Sequence, residues 1–267
     1  MSFTESRADW RARLSEVVGR LEKVRPLSGN AWSVTAGGRT LVAKVGPGAL
    51  DEAAGLRRLG QVAGGPPVPE VVLADDELVV TTAVRRTGRT IAHDKFFGRA
   101  LATLHAAPHR EWGGGSSWIG ACQVDASTWP DGPAFYGARL RGLAARCGLP
   151  GPVERVVARL PTLLPPDGPA LVHGDLWWGN VLAGEDGRAW LIDPSVHGGH
   201  PEEDLAMLAL FGTVPDHLRR AYEEIRPLAP GWAERVALFQ LYPLLVHAVL
   251  FDGSYHARAE EVARRYG

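Results

Sequence analysis

Apolar residues along this chain change period once. Over roughly the first third they alternate or form short runs, and beyond about residue 91 they recur every three to four positions. Trp10, Leu14, Val17, Val18 and Leu21 predict an amphipathic helix over 7–22. Leu41, Ala43 and Val45 then alternate with Val42 and Lys44, which predicts strands over 32–36 and 40–45 joined by a Gly37-Gly38 hairpin turn. Lys44 therefore projects from the face opposite Leu41 and Val45. After Pro47 a helix is expected with Glu52, Leu56 and Leu59 on one face. A carboxylate on an inward face needs a partner, and Lys44 is the natural one. Pro66-Pro67-Val68-Pro69 is a stiff connector, followed by strands over 71–74 and 78–81 around an Asp75-Asp76-Glu77 turn.

From about 91 the helical period takes over. Phe96, Phe97, Ala100, Leu101 and Leu104 line a helix that ends before Pro108, with His105 packed at its end. Residues 110–132 hold Trp112, Trp118 and Trp129 and are too irregular for an element: an insertion folded onto the lobe and a cleft wall are both open. Helices are expected over 134–147, 153–164, from Glu202, and over 216–225, 232–250 and 255–265. The fold class is thus α+β: a small antiparallel-sheet lobe (1–84) and a large, mainly helical lobe (85–267) sharing a cleft.

Composition narrows the function. A net charge of -1 and a pI near 6.8 argue against a nucleic-acid partner or an anionic membrane surface. Cys122 and Cys147 make no disulfide framework. Glu5, Arg7, Asp9 and Arg11 stand where a signal peptide needs an apolar run, and no segment is expected to reach membrane-spanning length. A cytoplasmic location follows as the expectation.

The chemistry concentrates between Leu171 and Met207. Leu171-Val172-His173-Gly174-Asp175-Leu176-Trp177-Trp178-Gly179-Asn180-Val181-Leu182 continues through Trp190-Leu191-Ile192-Asp193-Pro194. Two acids and one amide at loop positions beside apolar strands suit a kinase-like site, with Asp175 as the acceptor of a hydroxyl proton and Asn180 and Asp193 as ligands of Mg2+. Lys44 would neutralise phosphate, and Glu52 would fix Lys44. Ser28, Gly29 and Asn30 precede the first strand of the hairpin and are placed to cover phosphates. Thr82 and Val84, at the lobe boundary, are placed to meet an adenine edge.

The same residues carry a family likeness. His173-Gly174-Asp175, Asn180 and Asp193 resemble the phosphotransferase branch of the protein kinase-like fold, which includes aminoglycoside and choline kinases. The longer string from His173 to Asn180 is similar to the fructosamine kinase (ketosamine-3-kinase) family. So are Asp193-Pro194-Ser195-Val196, Asp204-Leu205-Ala206-Met207, Phe97 to His105, Gln240 to His247 and Phe251-Asp252-Gly253-Ser254-Tyr255. The resemblance implies ATP and Mg2+ as cofactors and the 3-hydroxyl of a ketoamine sugar (a fructosamine or ribulosamine) as acceptor. The 3-phosphate product then breaks down and frees the amine, which is deglycation. The implied partner is a small-molecule or lysine-linked sugar adduct, and a monomer is favoured.

His173, Trp177, Trp178 and Asp204 are the candidates on the acceptor side. His173 more readily braces the loop than titrates, and Trp178 is open between acceptor wall and packing. The chain departs from the family pattern at Pro201, where an Arg is usual, and at His197-Gly198, where aromatics are usual, both expected near the specificity-setting region. Two alternatives stand beside the ketoamine reading: another small-molecule kinase of this fold, acting on an aminoglycoside, a choline-like alcohol or a sugar, and a nucleotide-binding pseudokinase module.

Overall fold

A computed structural model describes residues 3–251 and 253–267, with side chains from Trp10 onward; Asp252, part of one family-like stretch, lies outside the described residues. Helix α1 (Phe3–Val18) opens the chain, and Trp10 and Leu14 bury against the N-terminal sheet beside Val34, Leu41, Ala43, Leu78 and Val80. The helix stops three residues before Leu21, which belongs to a strand the periodicity did not reveal, β1 (Leu21–Pro26). Only Leu21 and Val24 of that strand are partly covered, so the alternation is drowned by Glu22, Lys23 and Arg25.

The rest of the small lobe follows the sequence pattern. Strands β2 (Ala31–Ala36) and β3 (Arg39–Val45) pair across Gly37 and Gly38, whose φ angles of 54° and 71° suit the tight turn. Helix α2 (Ala49–Gly60) and strands β4 (Val71–Ala74) and β5 (Leu78–Thr82) complete an antiparallel sheet in the order β1-β2-β3-β5-β4.

The larger lobe begins with α3 (Ile91–Ala106), capped by the Thr90 side chain accepting from His93 N–H. The irregular stretch then forms four two-residue strands: β6 (Trp112–Gly113), β7 (Trp118–Ile119), β8 (Cys122–Gln123) and β9 (Thr128–Trp129). Helices α4 (Gly132–Arg146) and α5 (Pro150–Leu163) follow. The motif region supplies β10 (Ala170–Val172), one 3-10 turn (Trp178–Asn180), the hairpin β11 (Val181–Ala183) and β12 (Ala189–Leu191), and β13 (His197–Gly199). Helices α6 (Pro201–Leu210), α7 (Asp216–Glu223), α8 (Trp232–Phe251) and α9 (Ser254–Tyr266) end the chain. The fold is α+β and bilobal.

Two expectations are corrected here. At 20 residues α8 is long and apolar enough to cross a membrane by length and composition, against the expectation that no segment is. Half of that window is buried, and Leu238, Leu241 and Leu245 pack in the helical core. Secondly, Gly198 and Pro201 do not border the cleft. Gly198 pairs with Gly113 inside the sheet β10-β13-β6-β9, where an added Cβ would lie 1.8 Å from the Glu111 carbonyl. Pro201 is buried at the first turn of α6, where its missing N–H costs nothing.

Candidate active site

The alternation of β3 sends Leu41 and Ala43 into the core and Lys44 into the cleft. Its ammonium lies 2.7 Å from Glu52 Oε2 and 3.2 Å from Asp193 Oδ1. Burial opposes the ammonium charge, but these two carboxylates outweigh it and raise the Lys44 pKa. Burial pushes Glu52 up to about 7, with the Asp193 charge adding to the push and Lys44 pulling against it. Helix α2, which carries Glu52, is strapped to the other lobe. Asp51 accepts hydrogen bonds from Ser117 N–H at 2.8 Å and Ser117 O–H at 2.6 Å, and Arg58 donates to the Gly114 carbonyl at 3.1 Å. The lysine–glutamate pair is thus assembled by the fold itself.

Strand β10 delivers the second half of the site. Its chain turns at Gly174 (φ 80°), where an added Cβ would stand 2.1 Å from the Ser195 carbonyl. His173, fully buried, joins two loops. Its Nε2–H donates to the Ile192 carbonyl at 2.9 Å, and its Nδ1 accepts from Asp175 N–H at 3.3 Å. These partners fix the tautomer, and burial lowers the ring's pKa.

Asp204, also buried, accepts from His173 N–H at 2.8 Å, Gly174 N–H at 2.9 Å and His105 Nε2–H at 3.1 Å. Tyr222 O–H in turn donates to His105 Nδ1 at 2.9 Å. His173 and Asp204 therefore lie beneath the loop rather than against an acceptor. That corrects their place among the substrate candidates.

Asn180 donates to the Asp175 carbonyl at 2.9 Å and faces one Asp175 carboxylate oxygen at 3.4 Å. Its own amide oxygen remains for a cation. Asp193 has a φ of 53°, the single positive value among described non-glycine residues. A left-handed Asp costs on the order of 1 kcal/mol or more, tolerated where a side chain must be aimed. Burial and the Asp193 charge push Asp175 up to about 7, against the pull of Lys44 and of Asn180.

Three connected recesses converge here. A cleft of about 620 Å³ is lined by Ser28, Gly29, Asn30, Thr82 and Val84, with Val42 and Val79 on one side and Leu182 and Ile192 on the other. Lys44, Glu52, Asn180 and Asp193 line its inner end. Asn30 spends its side-chain N–H on the Val45 carbonyl at 2.6 Å. The Thr82 amide is taken by the Glu70 carbonyl and the Ala83 amide by the Thr40 carbonyl, while the Val84 amide has no backbone partner among the described residues. A second recess, about 410 Å³, joins Lys44 and Asp193 to Asp175, Trp118 and Trp177. A third, about 290 Å³, runs from Asp175 past Trp177 to Phe211, His247 and Phe251.

Trp177 lines all three recesses and is 41% exposed. Phe211, His247 and Phe251 were missed as site residues, because an apolar helix face gives no sign of which cavity it borders, whereas for Trp118 the structure decides between the two open readings in favour of a cleft wall. Trp178 points elsewhere: it packs edge-on against Phe97, at 6.3 Å between centroids, with the Arg89 guanidinium 3.4 Å over its ring. Trp178→Leu is therefore expected to cost about 2–4 kcal/mol of stability and to leave the acceptor KM within about twofold. A larger KM shift without a drop in Tm would return Trp178 to the acceptor wall.

A lysine–glutamate pair from a small lobe, set over an Asp, an Asn and a second Asp from a larger one, defines a protein kinase-like phosphotransferase. Comparison with known proteins agrees and narrows the class. The fructosamine kinase family profile matches residues 51–266. The probable ketoamine kinase of Lactiplantibacillus plantarum is 32% identical over 229 residues, 80% of each chain. The match to the Enterococcus faecium probable ketoamine kinase is 40% identical over 98 residues and spans 37% of this chain and 35% of that protein.

Among solved structures, a candidate fructosamine-3-kinase from Thermobifida fusca superposes with a TM-score of 0.85 at 39% identity, over 96% of this chain and 97% of that one. An aminoglycoside phosphotransferase in ternary complex with ADP and hygromycin B shares the fold, with a TM-score of 0.61 at 19% identity over 96% of this chain and 98% of that one. The chain belongs to the fructosamine kinase family, and with it to the ATP-dependent phosphotransferases.

Proposed function

We propose that this protein transfers the γ-phosphoryl group of ATP to the 3-hydroxyl of a ketoamine sugar adduct. The observation that carries the reading is the position of Asp175 where the recess holding Lys44 and Asp193 meets the third recess. An acceptor hydroxyl entering from the third recess meets Asp175 before it meets the phosphates. The new bond forms between the acceptor oxygen and phosphorus, the bond from phosphorus to the β-phosphate oxygen breaks, and the hydroxyl proton passes to Asp175. Lys44, held by Glu52, binds phosphate oxygens. The Val84 amide and the apolar pairs Val42–Val79 and Leu182–Ile192 suit an adenine ring.

The donor set fits Mg2+. The Asn180 amide oxygen and the Asp193 carboxylate are hard oxygen ligands, and few of them. No cluster of three or more His, Cys, Asp or Glu side chains able to hold a metal occurs among the described residues, which suits an ion that arrives with the nucleotide. When bound, it would neutralise phosphate charge. The 3-phosphate of a ketoamine is expelled after enolisation, and hydrolysis of the resulting imine frees the amine.

The test is phosphate transfer from ATP to fructose-, ribose- and erythrose-derived lysine adducts, beside an aminoglycoside, choline and free sugars. Ketoamine turnover with phosphate at O3 by NMR is the expected outcome. Efficient turnover of an aminoglycoside, choline or sugar instead would replace the acceptor. ATP binding with no transfer to any of them would leave a pseudokinase.

A further inference from the structure

The third recess is built unlike the rest of the cleft. Three large apolar side chains are exposed at its walls: Trp177 at 41%, Phe211 at 39% and Phe251 at 65%. Contiguous exposure of this kind marks a binding surface. The rings touch in series. Trp177 meets Phe211 edge-on at 6.4 Å, Phe211 meets His247 at 5.2 Å, and His247 meets Phe251 at 5.5 Å.

His247 Nδ1 lies 2.7 Å from the Pro243 carbonyl one helical turn back, so Nδ1 carries the proton and Nε2 keeps a lone pair. Burial and the nearby Arg258 hold this imidazole below its ordinary pKa, against the pull of the Pro243 carbonyl, so it is neutral at pH 7. Among the described residues lining the recess there is no Lys or Arg, and Asp175 is the one acid, at the inner end.

Among the described residues, the side chains lining this recess thus give it a predominantly negative character. The ring faces carry the negative end of the quadrupole, Nε2 of His247 offers a lone pair, and Asp175 closes the inner end. Such walls attract a cation, and the His247 nitrogen can accept one of the N–H groups a secondary ammonium carries. They give a neutral hydroxyl chain little reason to desolvate. A ketoamine carries a cation at a fixed offset from the reacting group, because its secondary ammonium is four bonds from the oxygen on C3. With that oxygen at Asp175, the ammonium falls on the side where the rings stand.

We propose that Trp177, Phe211, His247 and Phe251 form an aromatic cage for the secondary ammonium of the acceptor, so that the enzyme selects charged ketoamines over neutral ketoses. The inference rests on the ketoamine reading above and adds the group through which an adduct is told from a free sugar. The aliphatic floor of Met207, Val246 and Leu250 takes the first carbons of the amine substituent.

The experiment compares an N-alkyl ketoamine with its neutral isostere, the 1-O-alkyl ketose in which an ether oxygen replaces the ammonium. Wild type is expected to favour the ketoamine by about tenfold or more in kcat/KM. Phe211→Leu and Phe251→Leu keep apolar volume but remove the ring face, and each is expected to cut that ratio by about threefold or more. Phe251 is largely exposed, so its variant does not threaten the fold.

A second measurement needs wild type alone. Tetramethylammonium is expected to compete with the acceptor and not with ATP, at least about tenfold better than neutral tert-butanol. Equal kcat/KM for the two acceptors, or a ratio untouched by both leucine variants, overturns the cage while the ketoamine reading stands. Phosphorylation of neither acceptor removes the ketoamine reading and the cage with it.

Discussion

Asp175→Asn should yield a protein that binds ATP as wild type does and turns over at about a thousandth of its rate or less. The amide keeps the size of the side chain and its place beside Asn180, so nucleotide contacts through Lys44, Asp193 and the Val84 amide persist. What disappears is the carboxylate at the junction of the two recesses, the group placed to take the hydroxyl proton.

The same variant should be more stable than wild type at pH 8 in the absence of Mg2+. Burial and the Asp193 charge raise the Asp175 carboxyl to about 7 in the folded protein. A folded-state pKa above the unfolded value means that the folded state binds more protons between about pH 4 and pH 7, so this group weakens the fold as pH rises through that window. The neutral amide escapes the penalty at pH 8. Below about pH 4 the wild-type carboxyl is protonated in both states, and the advantage vanishes. Thermal melts at pH 8 and pH 4, beside turnover and ATP titration at pH 8, read all three expectations. Normal turnover would remove Asp175 as the proton acceptor. A variant less stable than wild type at pH 8 would show that its carboxylate is well accommodated.

The pairing of Lys44 with Glu52 was legible because each residue announces its side. Strand alternation puts Lys44 opposite Leu41, and helical spacing puts Glu52 with Leu56, so two local periods decide a contact eight residues apart. The approach of Lys44 to Asp193 spans nearly 150 positions and was reachable only through the kinase-like motif. Other features left no local trace. β1 hides because its residues are mostly solvated on both faces, which erases period two. The left-handed backbone of Asp193 is imposed by its surroundings and has no glycine to signal it. Phe211 and Phe251 look like ordinary apolar helix-end residues until the lobe is assembled and leaves them uncovered. The contact between His105 and Asp204 joins two helices 99 residues apart, so no periodicity could tell a packed histidine from one that orients an acid.

That acid carries the second large effect. Asp204→Asn should lower stability by about 3–5 kcal/mol, a fall in Tm on the order of 10 °C, and reduce kcat more than it changes the KM for ATP. The carboxylate serves three donors at once, the amides of His173 and Gly174 and the His105 ring. An asparagine offers one oxygen and points an NH2 group at donors, so at least one buried N–H is left facing another.

Burial opposes the Asp204 charge, yet His105, His173 and these hydrogen bonds depress its pKa below the ordinary carboxylate value. A depressed folded-state pKa gives stability that is present above the unfolded value near pH 4 and is lost as pH falls through the folded one. The gap between wild type and variant should therefore be full at pH 7 and narrow in acid. The loss in kcat has a separate origin. Asp204 fixes the turn at His173 and Gly174, and His173 in turn holds the Asp175 amide and the Ile192 carbonyl that precedes Asp193. Loosening that turn lets the proton acceptor and the Asp193 loop drift apart while the lysine side of the ATP cleft stays intact. A variant with unchanged Tm and kcat would mean that the buried acid is incidental and that the two loops are held together by something else.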